Sequence, residues 1–153
     1  MRRCRPAIAG LASHFQRARV TARCVLDTDV LIGVLDDRDA HHRNAARLVM
    51  GMIDREVRLH MNVVNYAEAL VRPSENAETL RVTEDAIAAL CIAIVSLTIA
   101  LCCDAALLRR SSSLAGGFAL ATARQLDASV ATFDDRVLRA LKPAGLEAAR
   151  LRG

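Results

Sequence analysis

The chain of 153 residues suggests one domain with a core large enough to fold alone. Aromatic residues supply only 3% of it, so the core falls to Leu, Val, Ile and Ala, which suits helices packed on a small sheet. The net charge of +4 is unevenly placed: residues 1–23 hold six arginines and no acid, leaving 15 basic against 17 acidic residues from Cys24 onward. The basic overall balance is therefore no argument for a nucleic-acid surface on the body of the protein.

Residues 1–23 contain no apolar run long enough for a secretory signal, although an arginine-rich, acid-poor arm is what organelle transit peptides share. They are read as a disordered basic arm or an over-long start, and residues 24–153 as one domain. "RCVLDTDVLIGVLDD" opens with a short apolar run, Cys24–Leu26, then a carboxylate, then a helical pattern of Val30, Leu31, Val34 and Leu35. "AHHRNAARLVMGMIDRE" is a second helix, with Ala45, Leu48, Val49 and Met52 on one face. "VRLHMN" alternates like a strand and "VVNYAEALV" returns to helix until Arg72-Pro73, because proline disfavours helix in the residue before it. "AETLRVTEDAIAALCI" is helical, "AIVSL" a short strand and "TIALCCDAALLRRS" helical again. "SSSLAGG" is expected as a loop, followed by the helix "FALATARQL", the strand "ASVATF", the helix "DDRVLRAL" and an edge strand or tail at "LEAARL".

Strands alternating with helices imply a parallel α/β sheet covered on both faces. One stretch competes with that reading. Residues 86–103 run for 18 positions without a charge, the lower limit for a membrane span. Ser96 and Thr98 in its centre, and the strand-like "AIVSL", favour two helices joined through a strand. The five cysteines, Cys4, Cys24, Cys91, Cys102 and Cys103, form no CxxC pair and are expected as buried, reduced thiols in a cytosolic protein.

In open α/β sheets ligands gather outside the carboxyl ends of the strands. Asp27 closes the first strand and Asp134 the last, so both belong on one rim. Glu68 occupies a polar position of an otherwise apolar helix and can face the same rim. Clustered carboxylates repel one another unless a cation shares the site, and all-oxygen ligands suit Mg²⁺ or Mn²⁺. Asp29 is read as a first-turn acid favoured by the helix dipole. His41 and His42 are read as surface or capping residues, and His60 as structural. Arg109, Arg110 and Arg124 are candidate phosphate contacts.

"VLDTDVLIGVLDDRDAHHRNAARLV" resembles the opening of PIN-domain ribonucleases, especially VapC-type toxins of toxin–antitoxin pairs. "NVVNYAEALVRP" resembles their second motif and "SLAGGFALATARQLDASVATFDDRV" their closing segment. The resemblance covers about residues 24–140. It implies a three-layer α/β/α sandwich with a central, mostly parallel sheet, and a Mg²⁺- or Mn²⁺-dependent endoribonuclease. It also implies a homodimer silenced by a VapB-type antitoxin held in grooves lined by the early helices, in a prokaryotic cytoplasm. Carried over by position, Asp27, Glu68 and Asp134 are the metal-binding catalytic acids, with Asp135 a substitute for Asp134 and Thr28 and Thr132 the polar neighbours. The resemblance breaks at Gly116, where the family carries an aspartate. No acid lies between Asp104 and Asp127 to replace it. A site short of one acid is expected to hold its metal weakly and cleave RNA slowly. The competing readings are an inactive PIN scaffold that keeps antitoxin binding and, from a different class, a small membrane protein built on residues 86–103.

Overall fold

The computed structural model describes residues 22–150, apart from the side chain of Ser111. Most of the arginine-rich arm lies outside the described residues, and Arg23 already opens a strand. Four short strands, β1 (Arg23–Leu26), β2 (Arg58–Asn62), β3 (Ala93–Val95) and β4 (Ser129–Ala131), form one sheet in the order β3-β2-β1-β4, with every pairing parallel. The connections are α1 (Thr28–Leu35) and α2 (His42–Asp54) after β1, then α3 (Val63–Leu70) and α4 (Ala77–Ala89) after β2. α5 (Ile99–Leu108) and α6 (Leu114–Leu126) follow β3, and α7 (Asp135–Leu141) follows β4.

Parallel strands must bury both faces, and β1 shows how the alternation divides them. Cys24 and Leu26 pack with Leu31, Val49, Met52 and Ile87 under α1, α2 and α4. Val25 points the other way, against Leu120, Val137 and Leu141 of α6 and α7. The result is the expected α/β/α sandwich. A smaller cluster of Leu101, Ala105, Phe118 and Ala121 joins α5 to α6. Among the described residues the tail at "LEAARL" makes a single bridge, Val130 to Ala148.

The uncharged stretch 86–103 is divided among the end of α4, β3 and the start of α5. Among the described residues no helix is long and apolar enough to cross a membrane. The thiols are less uniform than expected: Cys24 is buried, Cys102 half-buried, and Cys91 and Cys103 are exposed. Cys91 turns the chain out of α4 at φ 53°, which brings it to the surface.

The segment "SSSLAGG" also departs from expectation. α6 begins at Leu114, so Gly116 and Gly117 lie within its first turn and not in a loop. Ser113 caps the helix, its Oγ accepting from the Gly116 N–H at 3.0 Å. That cap, with the close approach of α5, outweighs the poor helix propensity of two glycines. A Cβ on Gly117 would stand 2.6 Å from the carbonyl oxygen of Ala105 and 3.1 Å from the amide nitrogen of Arg109. Both are backbone atoms of the α5 region, so nothing flexible can move aside. Gly117→Ala is therefore expected to destabilise the protein by about 1–3 kcal/mol through overpacking, despite alanine's better helix propensity. Urea unfolding measures it; an unchanged or higher midpoint would mean α5 yields freely.

Candidate functional site

Strand order reverses beside β1: the chain moves outward from β1 through β2 to β3, then returns to place β4 on the other side of β1. Ligands of open α/β sheets bind at such a switch point, beyond the carboxyl ends of the strands. Asp27 follows β1 there, and its backbone N–H still donates to Ala131 of β4 at 2.9 Å. Thr132, Phe133 and Asp134 leave β4 on the same rim.

Asp27 caps α1 and is 6% exposed. Its Oδ1 accepts from the Thr28 N–H at 2.8 Å and from Asn65 Nδ2 at 3.0 Å, and its Oδ2 accepts from Thr132 Oγ1 at 2.9 Å. Burial, and then the charge of Asp29, push its carboxyl up to about 6 against the pull of those hydrogen bonds, with Glu68 adding to the rise. Asp29 stands one step along α1. Its Oδ2 accepts from the Phe133 N–H at 2.8 Å, and the Thr132 hydroxyl lies 3.5 Å away. Its Oδ1 is buried with no partner. Burial also raises the Asp29 carboxyl above its ordinary value.

Glu68 sits on the last turns of α3, exposed, with Oε2 accepting from Thr28 Oγ1 at 2.5 Å. It also forms part of the wall of a cleft of about 1030 Å³ that runs past Ile32, Leu35, Asp36 and Arg72. Asp134 caps α7 and is tied to Arg136 through the backbone N–H at 2.7 Å and the guanidinium at 3.2 Å. Partial burial works against its charge, but the bonds from Arg136 outweigh it and hold the carboxyl below its ordinary value. Asp135 is the first residue of α7 and exposed. Gly116, the position short of an acid, is packed against α7, as a Cβ there would lie 2.8 Å from Val137 Cγ2.

Two asparagines of "MNVVNYA" prove central, and sequence reasoning passed over them. Asn62 ends β2 and caps α3, accepting from the Val64 and Asn65 N–H groups at 2.9 and 3.0 Å. Its amide donates to Asn65 and to Thr122 of α6. Asn65 is fully buried and donates to Asp27, to Thr28 Oγ1 at 3.0 Å and to the Ala115 carbonyl at 3.3 Å. This network fixes α1, α3 and α6 around Asp27, and each buried polar group in it has a partner. The signal was present in the sequence, since two asparagines three apart on an apolar helix start must be capped or paired.

The basic candidates divide. Arg109 and Arg110 form a short 3₁₀ turn ahead of α6. Arg124 lies in the last turn of α6, paired with Asp104 at 2.7 Å. His41 stacks on Phe133 with ring centroids 4.6 Å apart, and His42 Nδ1 lies 2.8 Å from the Gly33 carbonyl. His60, in β2, is held below its ordinary value by burial and the charges of Arg23 and Arg58.

Among the described residues no three His, Cys, Asp or Glu side chains converge closely enough to hold a metal ion as they stand. The donor chemistry nevertheless fits a hard divalent cation. Asp27 and Glu68 are linked through Thr28, Asp27 and Asp29 flank the Thr132 hydroxyl, and one Asp29 oxygen is buried without a partner. Glu68 is exposed and needs to give up one hydroxyl bond to turn inward.

A parallel sheet of this order with carboxylates at its switch point defines an open α/β domain with an acidic rim. The chain matches the PIN domain over residues 24–142, and it belongs to the PIN-domain family. No curated protein matches its sequence. Among solved structures it is similar to FitAcB from Neisseria gonorrhoeae at 21% identity and a TM-score of 0.62, covering 83% of this chain and 96% of that one. It is similar to the sarcin-ricin loop cleaving toxin VapC20 of Mycobacterium tuberculosis at 16% identity and a TM-score of 0.63, covering 76% and 94%. It is also similar to a chain of VapBC2 from Rickettsia felis at 13% identity and a TM-score of 0.61, covering 82% and 96%. At these identities the likeness is one of fold.

Proposed function

We propose that this protein is a VapC-like toxin: a divalent-metal-dependent endoribonuclease, weakened by the acid missing at Gly116 and held by a VapB-type antitoxin. The observation that carries this reading is the grouping of Asp27, Asp29 and Glu68 around Thr28 and Thr132 with no ion pair reaching them among the described residues. A cation joining such a group offsets the mutual repulsion and burial of its carboxylates. Asp27, Glu68 and Asp134 are the residues that would hold Mg²⁺ or Mn²⁺. Bound there, the ion supplies an activated water and a clamp for the phosphodiester oxygens. The chain's own part is orientation: Asn65 and Thr132 fix Asp27, Thr28 holds Glu68, and Arg136 must release Asp134. Arg109 and Arg110 are the proposed phosphate contacts. Arg124, already paired with Asp104, would have to leave that partner first.

An antitoxin segment is proposed for the cleft beside Glu68, whose apolar Ile32, Leu35 and Ala69 and acidic Asp36, Asp37 and Asp39 suit an amphipathic basic peptide. That the neighbouring structures include VapBC2 bound to a promoter DNA fragment and a toxin–antitoxin complex from Klebsiella pneumoniae supports an antitoxin partner, while the place in the cleft rests on its lining. A homodimer in a prokaryotic cytoplasm belongs to the same proposal.

The test is RNA cleavage by the purified chain with Mn²⁺, Mg²⁺ or EDTA, beside Glu68→Gln. Slow cleavage that EDTA stops and Glu68→Gln reduces by ~10²-fold is the expected result. No cleavage with either ion would support the second reading, an inactive scaffold. Gly116 favours that reading, because its ligand position is filled by Val137 and Ser112.

A further inference from the structure

We infer that Asp29 is a metal ligand of this site, restoring in charge, though not in position, the carboxylate absent at Gly116. The inference rests on the proposed metal-dependent reading and adds a residue to it. Three observations meet at Asp29. Its Oδ1 is buried and makes no hydrogen bond of its own. Its other oxygen is anchored by the Phe133 N–H, so the carboxylate is fixed in direction and not a mobile surface acid. The Thr132 hydroxyl lies 3.5 Å from Asp29 Oδ2 and 2.9 Å from Asp27 Oδ2, so the two carboxylates share one small space.

No arginine, lysine or histidine forms an ion pair with Asp27 or Asp29 among the described residues. Asp134, by contrast, already has Arg136 as counter-ion. A cation entering this rim therefore meets its least compensated charge between Asp27 and Asp29. A purely structural role, a clip from α1 to the β4–α7 loop, accounts for the oxygen bonded to the Phe133 N–H, while the other oxygen makes no hydrogen bond. Asparagine at this position would keep the bond to Phe133 and give the buried oxygen's place to an amide that repels a cation.

Mn²⁺ titration by calorimetry of the wild type, Asp27→Asn and Asp29→Asn, without RNA, tests this. Expected is binding in the wild type and a loss of at least ~10-fold in affinity in each variant, with metal-free unfolding midpoints showing that both are folded. Asp29→Ser, which keeps a short acceptor in the first turn, serves if the asparagine variant fails to fold. Wild-type affinity in Asp29→Asn together with loss in Asp27→Asn overturns the role of Asp29 and leaves the metal site standing. Absence of Mn²⁺ binding in the wild type overturns both. If Asp27→Asn binds as the wild type does, the ion sits elsewhere and the inference falls with the proposed site.

Discussion

Asp27→Asn is expected to reduce metal-dependent cleavage by at least ~10²-fold and, in the metal-free protein, to raise stability at pH 8. The two effects share one origin. Burial and the neighbouring acids raise the Asp27 carboxyl from 3.8 to about 6, so the folded state binds its proton more tightly than the unfolded chain does. Its stabilising contribution is fully present below the unfolded value near pH 4 and is lost as pH rises through about 6. Above that range the charged carboxylate costs the metal-free fold about 3 kcal/mol relative to its protonated form. Asparagine removes the charge and keeps the bonds: its oxygen accepts from Thr28 and Asn65, and its amide donates to Thr132 Oγ1 in place of the bond that Thr132 now gives. Urea unfolding at pH 4, 6 and 8 should therefore show a gap in favour of Asp27→Asn that opens with pH. Mn²⁺ should close it by stabilising only the wild type. A variant less stable than wild type at pH 8 would mean that the bonds to the carboxylate outweigh its burial.

The elements that carry the fold were legible because each is announced locally. Asp27 follows a short apolar run and caps the helix after it, and the alternation of strand with helix dictates a parallel sheet. The rim position of Asp27 and Asp134 followed from strand ends alone. What escaped depends on contacts between segments distant in sequence. Asn65 reads as one polar residue on a helix until α1 and α6 are brought against it. Asp29 reads as a dipole acid until Phe133 supplies an N–H across the sheet. Gly116 and Gly117 read as a loop because glycine is poor in helices; the reason for Gly117 is the α5 backbone, invisible in the local sequence. Arg124 lost its expected freedom in the same way, to Asp104 on the neighbouring helix.

Restoring the missing acid is expected to require two changes, not one. A Cβ built on Gly116 meets Val137 Cγ2 at 2.8 Å, Ser112 Oγ at 3.1 Å and Ser112 Cβ at 3.2 Å. Val137 is fully buried and branched at its β carbon, so its methyl has nowhere to swing. Gly116→Asp alone should lower stability by about 1–3 kcal/mol and add little to Mn²⁺ affinity, since the new side chain is forced against α7 before it can reach the rim. Val137→Ala alone should cost on the order of 2 kcal/mol as a cavity. Combined, the aspartate's Cβ occupies space the valine methyl has left, and the double variant should be more stable than the sum of the single changes by at least about 1 kcal/mol. It should also bind Mn²⁺ more tightly than the wild type. Urea unfolding of all four proteins gives the coupling directly, and calorimetry gives the metal affinity. Strict additivity would show that α6 and α7 separate without resistance. The absent ligand would then be a simple deletion and not, as the packing indicates, a position that Val137 has closed.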